Sequence, residues 1–126
     1  MRATGFTLIA VAAGVIGLGL WTVGGPGQAR AERRDEVRMA DLRDLGRHQA
    51  CLQRQGLAPG DRSDSCRGET RRDPLSGDPY RVEIAGGLRV CARFETGLPR
   101  QRWAERDGFD PDTGCLWVGP QTEGAP

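Results

Sequence analysis

An uncharged run limits this chain more than any other feature. From Ala3 to Ala29, 27 residues carry no charged side chain, while the 97 residues from Arg30 to Pro126 hold 17 Arg and 17 Asp or Glu. The two segments cannot share a core. Within the run, Gly5–Val23 reads GFTLIAVAAGVIGLGLWTV. As a helix it matches a hydrocarbon layer of about 30 Å. Gly5, Phe6, Trp21 and Val23 mark the ends of the expected membrane-spanning segment, with the Trp21 ring suited to the headgroup level. Ala10–Gly14 and Ala13–Gly17 are small-xxx-small pairs that admit a second helix closely. The lipid bilayer and membrane-helix or envelope protein partners are the partners this segment implies.

The rest of the chain is formally neutral, and the net +1 comes from Arg2. With no Lys and no excess of Arg, it lacks the basic surface that releases counterions from nucleic acid, so no nucleic-acid partner is expected. It holds only about 19 large apolar side chains, enough for one small core. Cys51, Cys66, Cys91 and Cys115 are four cysteines in that weak core. Small domains of this kind use disulfides as staples in oxidising compartments. Of the three possible pairings, the sequential one is favoured: Cys51–Cys66 closes a Gly/Pro/Asp/Ser-rich connection, and Cys91–Cys115 ties a strand to the C-terminal segment. Zinc at His48, Cys51 and Cys66 is the alternative, but no C-x-x-C or other recognised spacing supports it.

The Gly24-Gly25-Pro26-Gly27 stretch breaks or kinks any helix leaving the membrane. Ala31 to Gln55 follows with Met39, Leu42, Leu45 and Leu52 at roughly helical spacing. Its charge-rich face reads as solvated, with Arg38–Asp41 and Asp44–Arg47 as i, i+3 pairs. Gly56 and Pro59 end it. Ala58 to Asp73 has the composition of a loop, and Asp73-Pro74-Leu75-Ser76-Gly77-Asp78-Pro79 reads as consecutive turns. Tyr80–Ile84 and Leu88–Phe94 alternate as two strands of a hairpin. A two-residue Gly86-Gly87 loop mixes apolar and charged residues on one face. A three-residue loop, Ala85-Gly86-Gly87, pairs Val82 with Val90 and Ile84 with Leu88, and sets Glu83 opposite Arg89. That register requires φ > 0 at Gly87. It also places Cys91 on the non-core face, to be met by Cys115 if the C-terminal segment folds across that face. Gly97 to Gly114 is expected to be irregular, anchored by Trp103 and Phe109, and Trp117 is expected in the core.

The fold class is thus α+β: a transmembrane helix, an amphipathic helix, then a small antiparallel hairpin or sheet stapled by disulfides. The boundaries are 1–29 for leader and membrane segment, 30–57 for the amphipathic helix, 58–118 for the β-rich region and 119–126 for a disordered tail. Catalytic motifs are missing. His48 is the only histidine and stands on a charged helix. Asp73 and Asp78 each precede a Pro and read as turn formers rather than an acid–base pair. Asp107, Asp110 and Asp112 lack the spacing of an EF-type calcium loop and read as an Asx turn positioning Cys115. No cofactor, no metal and no enzymatic activity are expected.

The string MRATG followed by FTLIA resembles the type IV pilin signal, a short basic leader ending in Gly before Phe-Thr-Leu-Ile. Pro26 lies near that family's helix-bending proline, although Ala10 stands where the family usually has Glu. From Gly25 to Thr96 the blocks GPGQARAERRDEVRMADLRDL, Gly56-x-x-Pro59, DPLSGDPYRV and LRVCARFET resemble an uncharacterised bacterial family of small membrane-anchored domains. The last two also look like the globular ends of pilin-like and pseudopilin-like proteins. Cys51 and Cys66 look like an addition to that pattern, and no catalytic residues carry over. Three fates of the N-terminus follow: an uncleaved anchor, a pilin-like chain starting at Phe6, or a signal peptide removed after Ala29-Arg30-Ala31. Arg30, Arg33, Arg34 and Arg38 after the span argue for a cytoplasmic body, whereas the cysteines argue for a periplasmic one. The expectation is a non-enzymatic, single-pass inner-membrane protein with its N-terminus cytoplasmic and its domain periplasmic. It would serve as a structural or interaction subunit of a pilin-like or other envelope assembly, whose self-association is left open. The alternative is a tethered or secreted periplasmic binding module.

Overall fold

A computed structural model of the chain describes residues 2–68, 71–84, 86–103 and 108–119. The expected tail lies outside the described residues from 120 onward, as does Ala85 of the hairpin loop. The elements are α1 (Arg2–Val23), α2 (Pro26–Arg54), β1 (Arg81–Glu83), β2 (Arg89–Cys91), α3 (Leu98–Arg102), β3 (Phe109–Asp110) and β4 (Cys115–Trp117). The chain is therefore α+β, and it divides into two compact units, Met1–Ala31 and Glu32–Pro126.

In the first unit, α1 is long and apolar enough to cross a membrane. All residues from Thr4 to Arg30 are exposed, Phe6 at 75% and Trp21 at 88% among them. The helix breaks at Gly24-Gly25 and resumes at Pro26, earlier than the expected Ala31. Proline is well placed there because the first turn of a helix has no use for its missing N–H.

In the second unit, α2 ends where Gly56 permits it. With φ +70° at Gly56, its N–H donates to the Gln53 carbonyl and the Leu57 N–H to the Leu52 carbonyl, both at 3.0 Å. That is the Schellman arrangement, which satisfies carbonyls that the helix end would leave open. Met39, Leu42 and Leu52 are buried as the spacing requires, and Leu45 is partly so. The sheet is antiparallel throughout, in the order β1-β2-β4-β3. Met39 and Leu42 pack with Val90, Ala92, Trp103, Phe109, Leu116 and Val118. Gly46 brings α2 close, since a Cβ there would lie 3.5 Å from Leu116 and Val118.

The hairpin adopts the three-residue-loop register: Val82 faces Val90, and Glu83 faces Arg89 with an ion pair at 3.3 Å. The strands are shorter than the alternation suggests, and Ile84 is 63% exposed because β1 is an edge strand whose tip the core does not reach. Cys115 meets Cys91 from outside the hairpin, but not by folding across the face. β4 pairs edge-on with β2 and sets Cys91 opposite Cys115, because the same register puts Leu116 beside Val90 in the core. The 97–114 stretch is more regular than expected, since Pro99 favours the short helix α3 and Phe109 opens β3. Trp103 and Phe109 are buried around Phe94, whose ring meets Phe109 edge-on at 5.5 Å. Trp117 is not a core residue. At 46% exposed it lies on the outer face under the Arg89 guanidinium, 5.1 Å from the ring centroid.

Gly87 has φ +121°, and a Cβ there would come within 2.5 Å of the Trp117 ring. Gly87→Ala is expected to lower the unfolding free energy by about 1–3 kcal/mol through backbone strain alone. Equilibrium denaturation followed by near-UV circular dichroism measures this, and an unchanged midpoint would refute it.

Candidate functional site

The charged face of α2 is not solvated as expected. Asp35 is completely buried, with Arg38 and Asp41 nearly so, and they form the most developed polar constellation of the second unit. Arg38 lies one turn before Leu42 and its guanidinium is shared among three carboxylates. Nε and Nη2 donate to the two oxygens of Asp73 at 2.6 and 3.1 Å, and Nη1 donates to Asp35 at 2.8 Å and Glu95 at 2.6 Å. The pairing expected between Arg38 and Asp41 is thus replaced by one with Asp35. Asp35 also accepts the backbone N–H of Glu95 and of Thr96 and the Thr96 hydroxyl, at 2.7–3.2 Å. Arg34 holds the outer side of Glu95 with two bonds of 2.7 and 2.8 Å. One turn further on, Asp41 accepts from the Tyr80 hydroxyl at 2.9 Å and from Arg71 at 3.2 Å.

Local chemistry prepares the two segments that meet α2. Asp73 accepts the backbone N–H groups of Leu75 and Ser76 and donates its own N–H to the Asp78 carbonyl, which closes the turn on itself. The Asp73 carboxyl is therefore held well below the usual range, by the Arg38 guanidinium first and the two N–H groups next. Glu95 is drawn down to about 2, by Arg34 first and then by Arg38. Burial pushes the Tyr80 hydroxyl up, and the bond to Asp41 adds to it. A buried charge cluster of this kind persists only where each lone pair and proton finds a partner. Here it joins helix, turn and strand end at one point.

The sign of the pH effect follows from those shifts. A carboxyl with a depressed folded-state pKa contributes stability above its unfolded pKa and loses it as pH falls through the folded value. The domain is expected to keep its midpoint down to about pH 4.5 and to lose it steeply toward about pH 2. Thermal melts across this range test it, and a flat profile would count against the network's contribution.

The other candidates resolve as follows. The cysteines are joined as Cys51–Cys66 and Cys91–Cys115, with no free thiol. This removes the thiolates that zinc at His48 would need, and His48 is half-buried with Nδ1 lacking a partner among the described residues. The only metal-spaced group among the described residues, Glu83 with Cys91 and Cys115, likewise offers disulfide sulfurs. Asp73 is committed to Arg38, and the Asp78 carbonyl is used in the same turn, so the structure brings them together without making a free carboxylate pair. Asp110 forms the Asx turn, accepting from the Asp112 N–H and the Thr113 hydroxyl, and leads into Cys115; Asp112 pairs with Arg100. Asp107 lies outside the described residues. Asp44–Arg47 pairs on the exposed face of α2 as expected.

No protein-family model, curated protein or solved structure matches this chain.

Proposed function

We propose that the chain is a single-pass inner-membrane protein whose small disulfide-bonded domain stands in the periplasm and serves as a structural or interaction subunit of an envelope assembly. The observation that carries this is the pairing of an exposed apolar α1 with a second unit in which all four cysteines are oxidised. An exposed apolar helix of this length needs lipid or helix partners, and stable disulfides need an oxidising compartment. Asp73 is engaged in an ion pair and Asp110 in a turn, which supports an architectural role. The FTLI string after Gly5 supports the pilin-like form of this reading.

Two measurements test it. Alkaline phosphatase fused after Val118 should be active in intact cells and a green fluorescent protein fusion dark, and the opposite pattern would overturn the orientation. The mass of the mature protein then separates the fates of α1. An intact Met1 supports a plain anchor, a start at Phe6 the pilin-like form, and a start at Glu32 secretion, which would overturn anchoring.

A further inference from the structure

The charged groups at the buried face of α2 are engaged with one another, whereas those on the outer face of the sheet are not fully paired. The register puts Arg81 of β1 on the same face as Arg89 and Cys91 of β2, and Arg93 follows two residues on. Arg81 and Arg93 line one cleft of about 330 Å³, and Arg100 enters it from α3. Phe94, Pro99 and Pro111 form its apolar walls. Among the described residues the acid lining this cleft is Asp112, which pairs with Arg100. Among the described residues Arg81 reaches only Glu83, at 3.6 Å, and Glu83 is already shared with Arg89. Arg93 is exposed and makes no ion pair among the described residues. Like charges held on neighbouring strands destabilise a sheet. Among the described residues, the lining sets three guanidiniums around one carboxylate, a local surplus of positive charge at a concave surface.

We infer that this cleft binds a phosphate group. A phosphate is a dianion above its second pKa of about 6 and matches that surplus. Arginine forks suit its oxygens, and charge-assisted bonds from Arg93 and Arg81 would relieve the crowding. The phosphate is inorganic, or carried on a small phosphomonoester, or it is the monoester headgroup of phosphatidic acid; the dianion is shared.

The test uses the full chain in an uncharged detergent, titrated calorimetrically with inorganic phosphate at constant ionic strength. A separate arm adds phosphatidic acid to the micelles. Saturable binding of inorganic phosphate that weakens about tenfold in Arg93→Gln, and not in Arg47→Gln, supports a soluble phosphate ligand. The same Arg93 dependence seen only with phosphatidic acid supports the headgroup. Binding should also weaken as the pH falls through the second pKa of inorganic phosphate, where the ion loses its second charge. No saturable signal in either arm, or an equal response from Arg93→Gln and the parent chain, overturns the inference.

Discussion

Arg38→Met is expected to lower the unfolding free energy by about 3–5 kcal/mol. The magnitude comes from what is left behind. Asp35 is completely buried, and without the guanidinium its charge faces only two backbone N–H groups and the Thr96 hydroxyl. Asp73 and Glu95 lose the cation that draws them to the helix, so the turn at 73–78 and the segment at 95–96 lose their common anchor. Arg38→Lys should recover only part of the loss, because an ammonium cannot present a planar fork to Asp73 while also reaching Asp35 and Glu95. Arg47→Gln is the control. Its partner Asp44 is on an exposed face, and the change should stay within about 0.5 kcal/mol. Urea denaturation of the full chain in detergent, followed by tryptophan fluorescence, gives all three values. Equal midpoints for Arg38→Met and Arg47→Gln would show that the buried cluster contributes no more than a surface pair.

Much of the β region was legible because its rules are local. The choice between a two- and a three-residue loop is decided by which register leaves one apolar face, and Val82 opposite Val90 follows. Gly56 ends α2 for a reason carried within the six residues from Leu52 to Leu57. The turn from Asp73 to Pro79 likewise follows from Pro, Gly and Asp chemistry. The sequence was misread where burial is decided at a distance. On α2 the stripe through Leu42 and Leu45, continued toward the N-terminus at helical spacing, lands on Arg38 and Asp35. Hydropathy classes those positions as solvated. They are buried because Asp73 and Glu95, 35 and 57 residues away from Arg38, bring compensating charge, and no local pattern announces that. A signal was present nonetheless: charges standing where a stripe demands apolar residues ask for partners elsewhere in the chain. Trp117 was misread for the opposite reason. Its neighbour Leu116 takes the core position, and alternation then sends the indole outward to Arg89.

Loss of the two disulfides is expected to remove cooperative folding of the second unit. The bonds close 15- and 24-residue separations, and the loop-entropy model gives about 3 and about 3.5 kcal/mol for them. Against a usual total of about 5–15 kcal/mol, that sum takes most of the margin of a domain with a core this small. The two bonds should not be equal. Cys91 and Cys115 are 1% and 2% exposed in the middle of the sheet, whereas Cys51 is half-buried at the side of α2. Replacing Cys91 and Cys115 together by Ala therefore removes packing as well as a loop constraint, and should cost more than replacing Cys51 and Cys66. Cys91 also bridges the strands on which the ends of the core are mounted, since β2 carries Val90 and β4 carries Leu116. Thermal melts of both double variants, with and without reductant, measure the order. A larger loss from the Cys51–Cys66 pair would mean that the connection from Leu57 to Cys66, and not the sheet, limits stability. The argument reaches beyond stability. If the fully reduced chain fails to melt cooperatively, the domain folds only where disulfides persist, and a cytoplasmic placement becomes untenable despite the arginines that follow α1.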